Sequence, residues 1–394
     1  MRNNIKIAYI LSFLSELYFP ISIWIFYYLN YLDFKQIGIL TAVKLVSSNI
    51  FEIPTGVFAD IVGRKTSIVI SFSLYSLVMF GFANISVFWM FIVLDILKAI
   101  SNAFFSGSLE ALVYDSLIES GEVENYDKVI SNMESVSWTG LFISSIAGGY
   151  MYFYWFRSPY IFQGVLYFIT AIIALWLVEP KIDSQKHKFI EAVKLNFVGF
   201  KELFGNFHVS QMSIVFIILG AGYLIASELL GISQAREYGI DSRGVGFLFG
   251  AGFIISAIAS QFYPRLKKLL GTKMLLSVTA SILILSFLLA KWVGVLFGSI
   301  LIIARISSST TFRNTRSSVI NSLIGSKNRA TTLSTLALLS QLPLAFMAYF
   351  MGDYIDNSSP NSLAWILGIV MVVVLLGQAL YFYRQKSNFA KIKL

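Results

Sequence analysis

Long apolar runs alternate with short polar loops along the whole chain. Each run is about 20 residues long, which is the length that an α-helix needs to cross a bilayer. Membrane-spanning strands would instead need segments of about ten residues with alternating hydrophobicity, and open strand edges find no partners in lipid. The pattern therefore predicts an all-α integral membrane protein with twelve transmembrane helices, over residues 6–30, 36–59, 66–84, 86–108, 129–153, 160–178, 210–233, 244–263, 273–290, 292–312, 331–352 and 362–383.

Composition agrees with a membrane protein. Apolar residues make up 57% of the 394 residues and charged residues only 13%, whereas soluble domains carry about 25% charged residues. The mean hydropathy is +0.74. The first apolar run is too long for the apolar region of a signal peptide and carries Glu16, so we expect it to be retained as a helix.

The net charge of +9 is distributed unevenly. Most Lys and Arg residues fall in alternate loops and at the termini, while few fall on the other side, such as Lys35, Arg157 and Lys291. Positive residues mark the cytoplasmic side of membrane proteins. The chain is therefore predicted to lie in the cell membrane of a bacterium with both termini in the cytoplasm, and its charge does not indicate a nucleic-acid partner.

Several function classes lack their sequence features. The chain contains no Cys, and its two histidines, His187 and His208, both lie in the central loop without forming a cluster. No GxxxxGK[ST] phosphate loop and no nucleophile elbow occur. We therefore expect no metal site, no cofactor, no ATP drive and no enzymatic activity.

The longest polar interruption divides the spans into six and six. It predicts an N-terminal six-helix bundle over 1–178, a cytoplasmic linker over 179–209, and a C-terminal six-helix bundle with a basic tail over 210–394. Within the linker, residues 186–205 mix Lys and Glu with apolar residues at helical spacing, which is typical of a helix on the membrane surface. An offset of 208 residues carries Gly63 onto Gly271 and Lys65 onto Lys273, which indicates two related halves.

The loop between the second and third spans carries the most specific motif, GVFADIVGRK, from Gly56 to Lys65. With the preceding residues Glu52 to Thr55, its spacing resembles the major facilitator superfamily, and within it the twelve-helix drug/proton antiporters. The resemblance covers essentially the full chain. It implies two pseudo-symmetric six-helix bundles, a monomer, and transport by alternating access. Ile61 departs from the pattern, since the family often has a basic residue there.

The resemblance also implies a conformational gate at this loop. In the family, an acidic residue at the end of span 4 pairs with the loop arginine, and the loop aspartate caps the inner end of span 11. These contacts favour the outward-facing state, so their loss is expected to shift populations. The gate residues in this chain are Gly56, Asp60, Gly63, Arg64, Lys65, Glu110 and Asp115.

Ionisable residues inside the membrane are costly and usually face a cavity. Here they are Glu16, Lys44, Glu52, Asp95, Lys98, Glu134, Glu228 and Arg305, and spans 3, 6, 9 and 12 have none in their interiors. In the family that the chain resembles, those four spans are peripheral and the others line the cavity. The distribution therefore supports this fold and predicts a polar central path.

Three residues are candidates for proton coupling: Glu16, Asp95 and Lys98. Glu16 lies near mid-membrane and is the candidate for the carboxylate that carries a proton; the alternative is a permanent partner of Lys44 or Lys98. Asp95 and Lys98 are three residues apart and share a helix face. The resemblance associates a basic residue at this place with coupling, although the usual residue is arginine. The alternative is a structural ion pair between spans 1, 2 and 4.

The predicted substrate cavity combines charged, aromatic and amide side chains: Glu16, Tyr18, Trp24, Lys44, Lys98, Asn102, Tyr223, Glu228, Arg305 and Gln341. Glu16 and Glu228 would attract a cation, whereas Lys44, Lys98 and Arg305 would attract an anion, so the sign of the substrate stays open. Span 5 carries Gly140, Ser144, Ser145, Gly148 and Gly149, which match the family's glycine-rich antiporter motif only in part. Ordinary close packing of small residues is the alternative.

Together these features predict a secondary active transporter for a small molecule in the lipid bilayer. The leading hypothesis is proton-coupled efflux of small amphipathic or drug-like molecules by alternating access. The alternative is a proton-coupled symporter or a uniporter for a nutrient or an organic anion.

Overall fold

The computed structural model describes residues 2–181, 198–325 and 328–392, and these residues form helices, turns and loops without a β-strand. The helices are α1 (Arg2–Glu16), α2 (Trp24–Tyr28), α3 (Phe34–Val62), α4 (Arg64–Asn84), α5 (Phe88–Phe105), α6 (Ser108–Ser120), α7 (Tyr126–Tyr154), α8 (Ser158–Ala174), α9 (198–204), α10 (Phe207–Ile225), α11 (Gly231–Glu237), α12 (Ser242–Leu288), α13 (Val295–Leu323), α14 (Arg329–Asn357) and α15 (Pro360–Ile392).

Each of the twelve predicted spans overlaps helical structure. Within the described ranges, nine stretches are long and apolar enough to cross a membrane. α12 covers two predicted spans. The helical backbone is interrupted between them at Gly271 (φ 75°, ψ 162°). The all-α membrane fold is confirmed, and the count of twelve spans stays a prediction.

The first predicted span is not one continuous helix. α1 ends at Glu16, a 3₁₀ turn follows at Phe19–Ser22, and α2 is a short helix. Pro20 lies in the 3₁₀ turn, and proline cannot donate the backbone hydrogen bond of a helix interior. Span 7 is also irregular, because a π-helical turn at Ala226–Leu230 separates α10 from α11.

The chain forms two compact units. The first comprises Met1–Ala192, Ile240–Ala257 and Ala348–Gly352, and the second comprises Val193–Gly239, Ile258–Met347 and Asp353–Leu394. The first part of the predicted surface helix 186–205, including His187, lies outside the described residues. Its last part forms α9. The predicted linker boundaries stay a prediction.

Within the first unit, α4 packs on α5 and α8, α3 packs on α5, and α1 packs on α7. The hydroxyls of Ser71 and Ser101 donate to each other's backbone carbonyls at 2.7 and 2.6 Å, which joins α4 to α5. Small hydroxyl residues let transmembrane helices approach closely and bond across the interface. At the start of α3, Asp33 and Gln36 form a reciprocal cap, which satisfies two backbone donors.

Candidate functional site

The break in the first predicted span brings together several of the predicted site residues. Glu16 is the last residue of α1, and Leu17 and Tyr18 link it to the 3₁₀ turn. Irregular backbone at membrane depth is tolerated where it is buried in protein or lines a cavity. Broken helices of this kind commonly build the binding sites of transporters.

Glu16 is half-buried, and its carboxylate has no hydrogen-bonding or ion-pair partner among the residues that the structure describes. Its backbone packs tightly, because Ser144 donates to the Glu16 carbonyl at 3.3 Å. The Tyr167 hydroxyl donates to the neighbouring Ser15 carbonyl at 2.9 Å. The backbone at Glu16 is therefore held in place, and a role of its carboxylate in proton coupling stays a prediction.

Lys98 lies on α5 and binds the residue that follows the break. Its Nζ donates to the Tyr18 hydroxyl at 2.9 Å and lies 5.1 Å from the centre of the same ring. The Tyr18 ring stacks on Tyr75 at 6.3 Å, and Tyr75 stacks on Tyr167 at 4.7 Å. Asn102 lies beside Tyr75. A cation is thus held against a tyrosine cluster rather than against a carboxylate.

Asp95 and Lys98 do not form the predicted ion pair in the described contacts. Asp95 is buried, and its Oδ1 lies 3.5 Å from the Tyr28 hydroxyl, whereas Lys98 turns to Tyr18. The two residues are three apart on α5, and the hydrogen bonds described for them go to two different tyrosines. A structural ion pair that involves Lys98, and a role of either residue in coupling, stay predictions.

Two further cavity candidates belong to the first unit. Trp24 begins α2, and its ring makes an edge contact with Tyr28 at 5.4 Å. Lys44 is half-buried on α3. Their contact with a substrate stays a prediction.

In the second unit, Arg305 is buried on α13 within a polar network. Its Nη2 donates to the Gln234 side-chain oxygen at 2.9 Å, and Gln234 donates to Asn361 at 3.1 Å. Glu237 accepts from the Asn361 backbone at 2.8 Å. The Arg305 guanidinium also lies over the Phe287 ring at 5.4 Å. The sequence did not indicate Gln234 and Asn361, because single amides carry no spacing signal.

Tyr223 is buried and its hydroxyl already has partners. It donates to the Thr279 carbonyl at 2.8 Å and lies 2.8 Å from the Ser308 hydroxyl. Its ring stacks on Phe312 at 5.0 Å. Glu228 lies in the π-helical turn and is half-buried, and such turns occur frequently at functional sites. Gln341 is half-buried on α14.

The predicted gate loop forms a compact charged cluster within the first unit. Arg64 begins α4, and its Nη1 lies 2.7 Å from the Asp115 carboxylate on α6. Both side chains are mostly buried, with 15% and 13% of their surface exposed, so solvent screens the pair less than an ordinary surface pair. The loop arginine therefore does pair with an acid after span 4, and its role as a gate stays a prediction.

Glu179 lies far from the gate loop in sequence but contacts it in the structure, and the sequence analysis did not assign it there. Its carboxylate accepts from the backbone N–H groups of Arg64 and Lys65 at 2.7 and 2.8 Å, which is the favourable place for an anion at a helix N-terminus. Gly63 adopts φ 115° and ψ 147°, and a Cβ there would lie 2.9 Å from the Glu179 carboxyl carbon. The motif glycine is therefore required by both backbone conformation and space.

Other predicted gate residues make fewer contacts in the described part of the chain. Glu110 is exposed in the first turn of α6, and the Gly56 position has open space around it. Asp60 has no hydrogen-bonding or ion-pair partner within the described part of the chain. Its predicted cap of span 11 stays a prediction.

The small residues of span 5 support close backbone packing in the first unit. A Cβ at Gly140 would lie 2.8 Å from the Phe13 carbonyl oxygen of α1, and Gly148 contacts the Phe19 carbonyl. Ser145 donates to the Gly246 carbonyl at 2.8 Å, and Ser242 donates to the Gly149 carbonyl at 3.0 Å. These residues hold the interrupted first span and the start of α12 against α7.

No group of three or more Asp, Glu, His or Cys residues that could hold a metal ion occurs in the described residues. Helices packed around a broken first helix, with partly buried charges at the break, are an arrangement suited to a membrane transporter. The family model of the Major Facilitator Superfamily matches residues 6–308. The chain belongs to this superfamily. It is therefore a multi-pass membrane protein of a transporter family.

Known proteins place the chain among transporters of this superfamily. It is 28% identical over 285 residues to the uncharacterized MFS-type transporter YxaM of Bacillus subtilis (strain 168), covering 68% of each chain. It is 23% identical over 229 residues to Multidrug resistance protein 1 of the same organism, covering 58% of this chain and 57% of the relative.

A solved structure of the nucleoside transporter NupG matches with a TM-score of 0.81 and 15% identity, over 96% of this chain and 99% of that chain. This likeness shows the fold.

Proposed function

We propose that this superfamily member exports small amphipathic or drug-like molecules across the cell membrane, driven by protons that enter in exchange. The observation that carries the proposal is the Glu16 carboxylate. It lies half-buried where the first span breaks, without a hydrogen-bonding or ion-pair partner among the described residues. An intramembrane carboxylate that is not neutralised by a permanent ion pair can bind and release a proton as its access changes.

Lys98 and Tyr18 are proposed to link the proton to the substrate. Tyr18 follows Glu16 by two residues and accepts the hydrogen bond of Lys98. A change in the charge of Glu16 would therefore be felt by Lys98 through the short non-helical segment that joins them. Asp95, buried behind Tyr28, is proposed to complete the coupling group.

Efflux is favoured over import by one relative. Multidrug resistance protein 1 of Bacillus subtilis shares 23% identity with this chain over 229 residues. The tyrosine cluster around Tyr18 and Tyr75 would suit aromatic or amphipathic molecules. We further propose that the protein acts as a monomer in a bacterial cell membrane with both termini in the cytoplasm, as the charge distribution indicates.

The test uses cells that express the protein and two fluorescent probes of opposite charge, the lipophilic cation rhodamine 6G and the anion carboxyfluorescein. We expect export of at least one probe that a protonophore abolishes. Glu16→Gln, which removes the titrating group, should abolish this export as well. The matched control is Glu124→Gln, since Glu124 is exposed in a short loop turn, and it should export like the unmodified protein.

Export that continues in the presence of the protonophore, or in Glu16→Gln, would contradict proton coupling through Glu16. Proton-driven accumulation of a probe would contradict efflux and support symport. If neither probe moves, the proposed substrate range is wrong.

A further inference from the structure

One long stretch of the chain, most of which lies in the second unit, has no carboxylate. From Ser242 to Gly352 the chain has no Asp or Glu, although it carries Arg305, Arg313 and Arg316 on α13. The arginines on α13 therefore have no acidic partner on α12 or on α13, nor on α14 as far as Gly352. Their charges are satisfied by solvent, by neutral groups, by other parts of the chain, or by something that the protein binds.

Arg305 and Arg316 are eleven residues apart, so they lie on the same face of α13. Phe312 lies between them on this face. Arg305 is satisfied, because it donates to Gln234 and lies over Phe287. Arg316 lacks such hydrogen-bonding partners among the described residues, although part of its side chain is buried.

The Arg316 Nε is buried and has no hydrogen-bonding partner in the part of the chain that the structure describes. In the described residues its guanidinium has no ion pair and no hydrogen bond, and its nearest charged influence is the like charge of Arg313. Its one favourable aromatic contact is with the Phe312 ring, at 5.9 Å from the centre. This distance is at the outer limit of a cation–π contact, so the contact offsets only part of the cost of burying part of an unpaired guanidinium.

A glycine and a serine pack closely beside Arg316. Gly220 lies on α10, and a Cβ at this position would lie 2.8 Å from the Ser340 hydroxyl of α14 and 3.7 Å from Arg316 Nη1. Ser340 is buried and donates to the Leu336 carbonyl at 2.8 Å. Three helices of one unit thus converge on the guanidinium without supplying an acceptor for it.

We propose that Arg316, with Gly220 and Ser340, forms a binding site for an oxyanion group, namely a carboxylate, phosphate or sulfonate. Arginine presents a planar set of donors that matches such groups. Phe312 contacts both Arg316 and the predicted cavity residue Tyr223, and because its ring is buried, the ligand is recognised through its oxyanion group. This inference rests on the proposed transport function only in naming molecules with such a group as substrates.

The test is equilibrium binding to the full-length protein in lipid nanodiscs, without a proton gradient. The probes are benzoate, phenylphosphate and benzenesulfonate, with benzamide as the neutral control. We expect saturable binding of at least one anion and about tenfold or weaker binding in Arg316→Gln, since one charge-assisted contact is worth about that factor. Arg313→Gln is the matched control, because Arg313 is exposed on the same helix, and it should bind within about twofold of the unmodified protein.

A second variant keeps the charge and tightens the packing beside it. Gly220→Ala places a methyl group next to Ser340 and Arg316, and it should weaken anion binding by several-fold. Thermal unfolding separates binding from structure. Removing an unpaired, partly buried charge should leave the midpoint of Arg316→Gln unchanged or higher, whereas a large decrease would show that Arg316 is structural and overturn the proposal.

The lipid composition of the nanodisc distinguishes two sources of the oxyanion. Equal anion affinity in phosphatidylcholine discs and in discs that also contain phosphatidylglycerol supports a soluble ligand. Competition by phosphatidylglycerol overturns that assignment in favour of a lipid headgroup.

No binding of any of the three anions, or equal binding in Arg316→Gln, overturns the site itself. Because this assay needs no transport, its failure is separate from a failure of proton-coupled efflux.

Discussion

At the scale of single residues, the charged groups of the first unit have different surroundings. Glu16 has no polar partner among the described residues, Lys98 binds a neutral tyrosine, and Arg64 binds a carboxylate. Lys98 therefore contacts the residue that follows the break in the first span, and a change of its charge during a transport cycle stays a prediction.

Lys98→Arg tests this directly. Arginine keeps the positive charge and the ability to donate to Tyr18, but it does not lose its proton. If Lys98 must deprotonate, we expect proton-driven efflux of the transported probe to fall by about tenfold or more, while equilibrium binding of that probe is retained. Lys128→Arg is the control, because Lys128 is exposed near the start of α7. Normal efflux in Lys98→Arg would show that the residue acts as a fixed charge.

At the scale of helices, the break in the first span depends on its packing against α7. Gly140 contacts the backbone of α1 just before the break, and Gly148 contacts the backbone of the 3₁₀ turn after it. The atoms that these glycines contact belong to the backbone, and backbone cannot move aside as the end of a flexible side chain can. The small residues of span 5 therefore hold the non-helical segment that carries Glu16 and Tyr18, whether or not they also serve antiport.

Gly140→Ala should destabilise the protein. Its Cβ would lie 2.8 Å from the Phe13 carbonyl oxygen, and overpacking of this kind costs about 1–3 kcal/mol. Gly377→Ala on α15 is the matched control, because nothing lies within 4 Å of its Cβ, and alanine there should be neutral or stabilising by up to about 1 kcal/mol. The measurement is the thermal unfolding midpoint of the purified protein. Equal midpoints for the two variants would argue against tight packing at Gly140.

At the scale of the whole molecule, transport requires two conformations whose balance the charged loop is proposed to bias. Arg64, Asp115 and Glu179 tie together the start of α4, α6 and the segment after α8. All three lie within one unit, so they can stiffen that unit as a single body. A ligand or proton shifts such an equilibrium only by its differential affinity for the two states.

Arg64→Ala should lower the outward-facing population and slow turnover, with the protein still folded. The chain has no Cys, so Tyr154→Cys and Trp292→Cys, which replace residues that are 79% and 72% exposed, provide the only sites for spin labels. We expect the distance distribution between the labels to shift towards shorter values in Arg64→Ala. Exchanging the charges, as Arg64→Asp with Asp115→Arg, should restore part of the original distribution. An unchanged distribution in Arg64→Ala would remove the gate assignment.

Much of the fold and part of the site followed from local sequence patterns. The length of the apolar runs predicted membrane helices, and the GVFADIVGRK motif predicted the family and the position of the Arg64 pair. The partner could not be chosen between Glu110 and Asp115, because both acids follow span 4, and only Asp115 lies next to Arg64 in space. Glu179 was missed because it is far from the loop in sequence.

The sequence by itself determined that this chain is a helical membrane protein with costly charges at membrane depth, because hydrophobic length and charge are properties of each segment alone. Only the tertiary structure decided which of those charges have partners. In the described residues, Lys98 donates to Tyr18, Arg305 donates to Gln234, and the Arg316 Nε has no partner. Side-chain pairing depends on which helices meet and at what height, and that information is not contained in the spacing within any one helix.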